Sequence, residues 1–130
     1  MHRFVEHVGE VELELQADDE AGIFEDALAA FAEIVSPGPT GAPASFTIEL
    51  CNEDHALLLA DWLSELIFLG EVHAFTPEGV DGLEIAHDRL RANVRGRRNA
   101  PRHVVKAVTL HRLELSEAKG AWHGRVVLDV

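Results

Sequence analysis

Residues Val11 to Gln16 read Val-Glu-Leu-Glu-Leu-Gln, apolar and acidic by turns, which is the period of a strand with one wet face. Asp18 and Asp19 then offer an N-cap, with acids placed to favour the first turn of a helix. From Glu20 to Val35, Ile23, Phe24, Ala27, Leu28, Phe31, Ile34 and Val35 fall on one helical stripe. The run Ser36-Pro37-Gly38-Pro39-Thr40-Gly41-Ala42-Pro43 stops that helix and reads as a loop. Ser45 to Cys51 is a second strand. Asn52 to Asp54 can cap a second helix that runs to about Leu69, where Gly70 ends it. Leu58, Trp62, Glu65, Leu66 and Leu69 share a face, which puts Trp62 in the core, while Asp61 and Glu65 stand one turn apart on the polar side.

Beyond that point the pattern is β. Val72–Thr76, Leu83–His87, Leu90–Val94, Val104–Leu115 and Trp122–Val130 all carry strand composition, and Ser116–Gly120 is a polar turn that makes the last two a hairpin. Helices early and strands late predict a single α+β domain, mainly antiparallel, with two principal helices in the N-terminal half.

Composition narrows the function classes. The 130 residues suffice for one domain with a real core. The formal net charge of −12 disfavours nonspecific nucleic-acid binding and suits a basic partner or a cation. One stretch departs from that average: Arg89, Arg91, Arg95, Arg97, Arg98 and Arg102 follow one another closely. No aromatics interleave with them for base stacking, so contact with a protein partner or plain solvation is expected rather than RNA reading. The single cysteine, Cys51, permits no internal disulfide and fits a reducing compartment; it reads as a small buried residue. No apolar run approaches the ~20 residues that span a bilayer, and the N-terminus has no apolar signal core, so a cytosolic location is expected. There is no Gly-rich phosphate loop, Cys-x-x-Cys, His-Glu-x-x-His or nucleophile elbow, and no catalytic residue stands out. The histidines form no zinc-ligand spacing.

Three separated segments resemble the archease family. Phe4-Val5-Glu6-His7-Val8-Gly9-Glu10-Val11 is similar to its Phe-x-Glu-His-Thr-Ala-Asp-Val opening. Leu57-Leu58-Leu59-Ala60-Asp61-Trp62-Leu63-Ser64-Glu65-Leu66 is similar to its Leu-Leu-x-x-Trp-Leu-x-Glu-Leu helix. Val105-Lys106-Ala107-Val108-Thr109-Leu110-His111 and the closing Leu128-Asp129-Val130 resemble its Lys-Ala-x-Thr-Tyr-His strand and its Asp-Ile or Asp-Val end. Order and spacing agree over nearly the whole chain.

The resemblance implies an accessory protein and not an enzyme. It implies transient docking on an RtcB-type RNA ligase, which joins ends carrying a 2′,3′-cyclic phosphate or 3′-phosphate in tRNA splicing and RNA repair, and promotion of that ligase's guanylylation and multiple turnover. A tRNA methyltransferase, modulated or chaperoned, is the alternative partner. A divalent cation is implied, Ca²⁺ first, with Mg²⁺ or Mn²⁺ as alternatives, bound through acidic side chains that include the penultimate Asp. By position, Asp129 matches that Asp; Lys106, His7 and His111 match the family's Lys and His positions. Glu10 stands where the family usually has Asp, Val8-Gly9 replace Thr-Ala, and Leu110 replaces Tyr.

Elementary chemistry gives each residue a second reading. If the strands that begin at Glu10 and end at Asp129 are neighbours, two carboxylates and the backbone or terminal oxygens of Val130 can converge on a hard ion at ~2.0–2.6 Å; otherwise both acids are merely solvated. Lys106, in the apolar run Val104-Val105-Lys106-Ala107-Val108, either guards a strand edge or presents a point charge to a phosphate or an acidic partner. His7 and His111 are core-edge histidines or contact residues, since oxygen-preferring ions do not favour imidazole. A metal-dependent phosphoester hydrolase built on Glu10 and Asp129 is the remaining alternative.

Overall fold

In a computed structural model describing residues 1–130, seven strands and two helices follow one another as β1 (His2–His7), β2 (Glu10–Ala17), α1 (Glu20–Val35), β3 (Ala42–Cys51), α2 (His55–His73), β4 (Phe75–Ile85), β5 (Arg89–Arg98), β6 (Ala107–Ala118) and β7 (Ala121–Asp129). All strand pairs are antiparallel. They form one sheet in the order β1-β2-β7-β6 and another in the order β3-β5-β4. α1 packs against both β2 and β4, and α2 against both β6 and β4, so the helices fill the space between the two sheets. The α+β architecture, with both helices in the N-terminal half, is the one expected.

The predicted stripe of α1 is its buried face, with Ile23, Phe24, Ala27 and Leu28 at most 1% exposed. Its N-cap is Asp19, whose carboxylate accepts from the Gly22 N–H at 2.7 Å. Asp54 caps α2 likewise, accepting from Ala56 and Leu57 N–H. Trp62 is fully buried, edge-on to Phe24, and donates its indole N–H to the Phe24 carbonyl at 2.9 Å.

Several boundaries depart from expectation. β1 was not foreseen; its residues do not alternate cleanly, and what holds it is pairing with β2 from His2↔Leu15 to His7↔Glu10. Gly70 does not end α2. The helix runs on to His73 and is closed by Ala74 in the left-handed region (φ 50), whose N–H donates to Leu69. Gly70 serves close approach instead: a Cβ there would stand 3.3 Å from the ring of Pro101. Val72 and His73 are therefore helical, and the strand expected at Val72–Thr76 starts only at Phe75. It runs unbroken into Leu83–Ile85, through register shifts at Pro77/Gly79 and Val80/Gly82, as an edge strand that tolerates Pro77. Ala42 and Pro43 belong to β3, also an edge, and not to the preceding loop.

The stretch expected as one strand from Val104 to Leu115 is divided. Residues 99–106 cross between the sheets. Arg102 N–H donates to the Val35 carbonyl at 2.6 Å, Val105 is 4% exposed, and the Lys106 N–H donates to the Asp129 carbonyl at 2.7 Å. Val105 anchors a crossover while Val104 is exposed, and the ladder begins at Ala107. β6 is itself interrupted between Thr109 and Glu114, with Arg112 in the left-handed region (φ 59). The β6–β7 turn is the two-residue Lys119-Gly120, both at positive φ (55 and 77), as the twist of a tight hairpin requires. Cys51 is exposed rather than buried: the period of β3 turns Ile48 and Leu50 inward, and Cys51 outward with Glu49.

Candidate functional site

The register of the four-stranded sheet decides which side chains share its outer face. Leu13, Val126 and Leu128 point into the core, so the positions between them point out. Three transverse rows result. One holds His7, Glu10, Asp129 and Ala107; the next holds Val5, Glu12, Val127 and Thr109; the third holds Arg3, Glu14, Arg125 and Glu114.

The third row is charge-balanced. Arg3 pairs with Glu14, and Arg125 pairs with Glu114 at 2.6 Å. In the second row Glu12, 2% exposed, lies 2.8 Å from the guanidinium of Arg112, which comes from the interruption in β6. The first row differs. Glu10 and Asp129 are direct cross-strand partners, both half-buried, and no Lys, Arg or His lies within ion-pair distance of either. Like charges directly opposite destabilise a ladder by ~0.2–1 kcal/mol, and nothing in the chain relieves this pair.

The sequence-predicted residues separate accordingly. Glu10 and Asp129 are brought face to face. Val130 follows, its N–H donating to the Gly9 carbonyl at 3.0 Å, while its side chain turns to the inner side beside Phe4, Val11 and Ile34. Only its backbone and terminal oxygens are left to serve the row. His7 lies at the exposed end of the same row. Lys106 reaches the site by its backbone N–H on Asp129, and its side chain is exposed and in no ion pair. His111 is not part of this arrangement; it is exposed in the β6 interruption, further along the strand.

Glu12 was missed by sequence reasoning. As one acid of an alternating strand it looks solvated, yet it is buried and paired with Arg112. Its Oε1 has no hydrogen bond, for the nearby guanidinium is close but not aimed; Thr109 Oγ1, in the same row, also has none.

The donor set is two carboxylates and no thiol. It is hard oxygen throughout and suits Ca²⁺ or Mg²⁺ better than Zn²⁺. Nowhere do three His, Cys, Asp or Glu side chains converge as a ready-made cage.

The arginine cluster has a different fate. On the outer face of the three-stranded sheet Arg91 pairs with Glu49 at 3.2 Å, Arg95 with Asp81 at 2.6 Å and Arg97 with Glu78 at 3.0 Å. Arg98 lies over the Phe46 ring and donates to the His73 carbonyl. These four arginines are engaged within the molecule.

Two histidines carry raised pKa values. Burial works against the charged His2 ring, but hydrogen bonds to Asp26 (2.8 Å) and Glu33 (3.0 Å) and their negative charge outweigh it. For His55 the hydrogen bond to Glu20 (2.9 Å) leads, opposed by burial and helped by the His87 carbonyl. His2 pins β1 to α1, and His55 pins α2 to α1 and to the β4–β5 turn, both away from the Glu10–Asp129 row.

Two sheets clasping two helices, with an oxygen-rich acidic row where the first and last ladders meet, define an α+β protein suited to a hard cation. The chain belongs to the archease protein family, whose model matches residues 2–130. It is 28% identical to a protein archease from Methanosarcina mazei over 99% of this chain and 95% of that one. The solution structure of protein 1598 from Methanobacterium thermoautotrophicum superposes with a TM-score of 0.77 at 25% identity, over 99% and 98% of the two chains. An archease from Thermotoga maritima, described as a possible chaperone, shares the fold at a TM-score of 0.71 and 18% identity, over 100% and 98%. No helix is long and apolar enough to cross a membrane.

Proposed function

We propose that this protein is a non-catalytic accessory factor that docks transiently on an RtcB-type 3′-phosphate RNA ligase and promotes its guanylylation and multiple turnover with the aid of a bound divalent cation, Ca²⁺ first. The observation that carries the reading is the Glu10–Asp129 pair, opposed in register and without any cationic side chain, within a chain that belongs to the archease family.

Glu10 and Asp129 would hold the ion, with Val130 supplying backbone or terminal oxygen. A bound Ca²⁺ or Mg²⁺ supplies charge neutralisation and a fixed coordination geometry. Two side chains cover only part of the ~6–8 oxygens that Ca²⁺ takes. Lys106, exposed beside Asp129, is the point charge for a phosphate or an acidic partner residue. His7 lies at the rim of the same row as a contact residue, and His111 offers a second contact further along β6. The self-paired arginines support little direct nucleic-acid binding. The hydrolase alternative would need an open coordination site beside a general base and a cleft, and it gains nothing from a row without a third side-chain ligand.

The test is incorporation of labelled GMP into the ligase from the same organism, with and without this protein. Wild type should accelerate incorporation and allow multiple turnover, Asp129→Ala should not, and Lys106→Ala should be impaired. No effect of wild type on a competent ligase would sink the reading and turn attention to a methyltransferase partner, sought by co-purification.

A further inference from the structure

The longest departure from regular pairing in either sheet is in β6. Four residues, 110–113, stand between Thr109 and Glu114, where β7 has only Val126 between their partners Val127 and Arg125. The second half of this excursion is anchored on both sides of the sheet. Leu113 packs against the core. Arg112 takes a left-handed backbone (φ 59) and sets its guanidinium 2.8 Å from the buried Glu12. Its carbonyl accepts from Arg125 Nε at 3.0 Å, and the same Arg125 pairs with Glu114, where the ladder resumes. A left-handed residue other than glycine and a buried charge each cost stability, and both are committed here to fixing the path of four residues. The first half is displayed instead. Leu110 is 61% exposed, and His111 is exposed beside it. An interruption that served only to keep an edge strand from pairing would need neither Glu12 beneath it nor a leucine on its surface. β3, an edge of ten residues paired in unbroken register, carries no such guard.

We propose that the β6 excursion is a preformed docking knob, with Leu110 as its apolar contact, and that Glu12 and Arg112 are positioning residues that hold its shape. The occupant is an apolar socket on a protein surface. Arg3, Arg112 and Arg125 are each matched on this face by Glu14, Glu12 and Glu114, so none of these guanidiniums is free to meet a phosphate backbone. The carboxylates left over, Glu10 and Asp129, repel one. A knob held in its bound shape before contact avoids the ordering cost of a mobile loop. The proposal rests on the accessory reading above, and the partner is the RNA ligase named there.

Binding of the ligase from the same organism to the immobilised protein tests it, with melting curves alongside. The variants are Leu110→Ser, Leu110→Met, Glu12→Gln/Arg112→Gln and Glu12→Gln/Arg112→Gly. Leu110→Ser should weaken binding tenfold or more at an unchanged melting temperature, and Leu110→Met should keep most of the affinity. The double variants remove both charges and so avoid an orphaned carboxylate. Glu12→Gln/Arg112→Gln should bind several-fold more weakly than wild type. Glu12→Gln/Arg112→Gly relieves the left-handed strain, so it should melt higher than the Gln version, yet its freer backbone should bind more weakly still. A merely structural role would move stability and binding in the same direction. If wild type binds the ligase and Leu110→Ser binds equally well, the knob is overturned and the accessory reading stands. If Leu110→Ser weakens binding and both double variants bind as wild type does, the positioning role of Glu12 and Arg112 is overturned. If wild type does not bind the ligase, the knob and the accessory reading both fall.

Discussion

The two outer faces of this molecule are both strands dense in charge, and they solve the same problem differently. On the three-stranded sheet Arg91, Arg95 and Arg97 find Glu49, Asp81 and Glu78, so its electrostatics close within the chain. On the four-stranded sheet the second and third rows close in the same way and the first, Glu10 opposite Asp129, does not. Density of charge is thus a poor guide to function here. The arginine cluster is conspicuous in sequence, and Arg91, Arg95 and Arg97 are paired internally. The informative place is the one row that a folding chain would be expected to balance and does not, since like charges in register cost stability with no structural return.

The comparison breaks hardest at Arg112. Arg112→Ala leaves Glu12 buried with no counter-charge, and unfolding in urea without divalent cation should show a loss of about 3 kcal/mol, at the low end for breaking a buried pair because Arg112 is half-exposed. Next comes the unbalanced row. Asp129→Asn removes a like charge, so without cation the variant should gain up to ~1 kcal/mol, and it should lose the rise in melting temperature that Ca²⁺ gives wild type. A variant less stable than wild type under those conditions would show the row to be balanced by something in the chain. The other face should scarcely respond: Arg95→Ala removes an exposed ion pair and should cost ~0.2–1 kcal/mol, shrinking further at high salt.

How much of this was legible in the sequence follows from whether a feature is local. Caps at Asp19 and Asp54, the stripe of α1 and the burial of Trp62 depend on neighbours a few residues away, and periodicity shows them. Gly70 carries the ordinary signature of a helix end, but the reason for glycine there is Pro101, far along the chain. Val104-Val105 carries the composition of a strand, but it lies in a crossover whose flanking residues bond the end of α1 and Asp129. For the site, the residue matches to the archease family named Glu10 and Asp129, and the register places them opposite one another. Glu12 was illegible because its partner is an arginine from an irregular stretch of β6, which no strand period describes.

The seams that α1 makes with β1 and with α2 are an intermediate case, in which acids face a histidine and, at Asp26, the N-terminal amine as well. His2 lies between Asp26 and Glu33, with the N-terminal amine also 3.1 Å from Asp26, and His55 bonds Glu20 at the start of α1. Both imidazoles have folded pKa values above the ordinary 6.5, so the folded state holds their protons more tightly than the unfolded chain does. Their contribution to stability is therefore complete below about pH 6.5 and declines as pH rises through the raised folded values. Melting temperature should fall between about pH 6 and pH 8.5 more steeply in wild type than in His2→Gln/His55→Gln, by about 2 °C. This is the smallest effect of the set, since each ring exchanges good hydrogen bonds in one protonation state for slightly poorer ones in the other. Equal slopes would mean that acids at this seam are tolerated without a counter-cation. The missing counter-charge at Glu10 and Asp129 would then no longer distinguish that row, and the argument for a cation there would lose its main support.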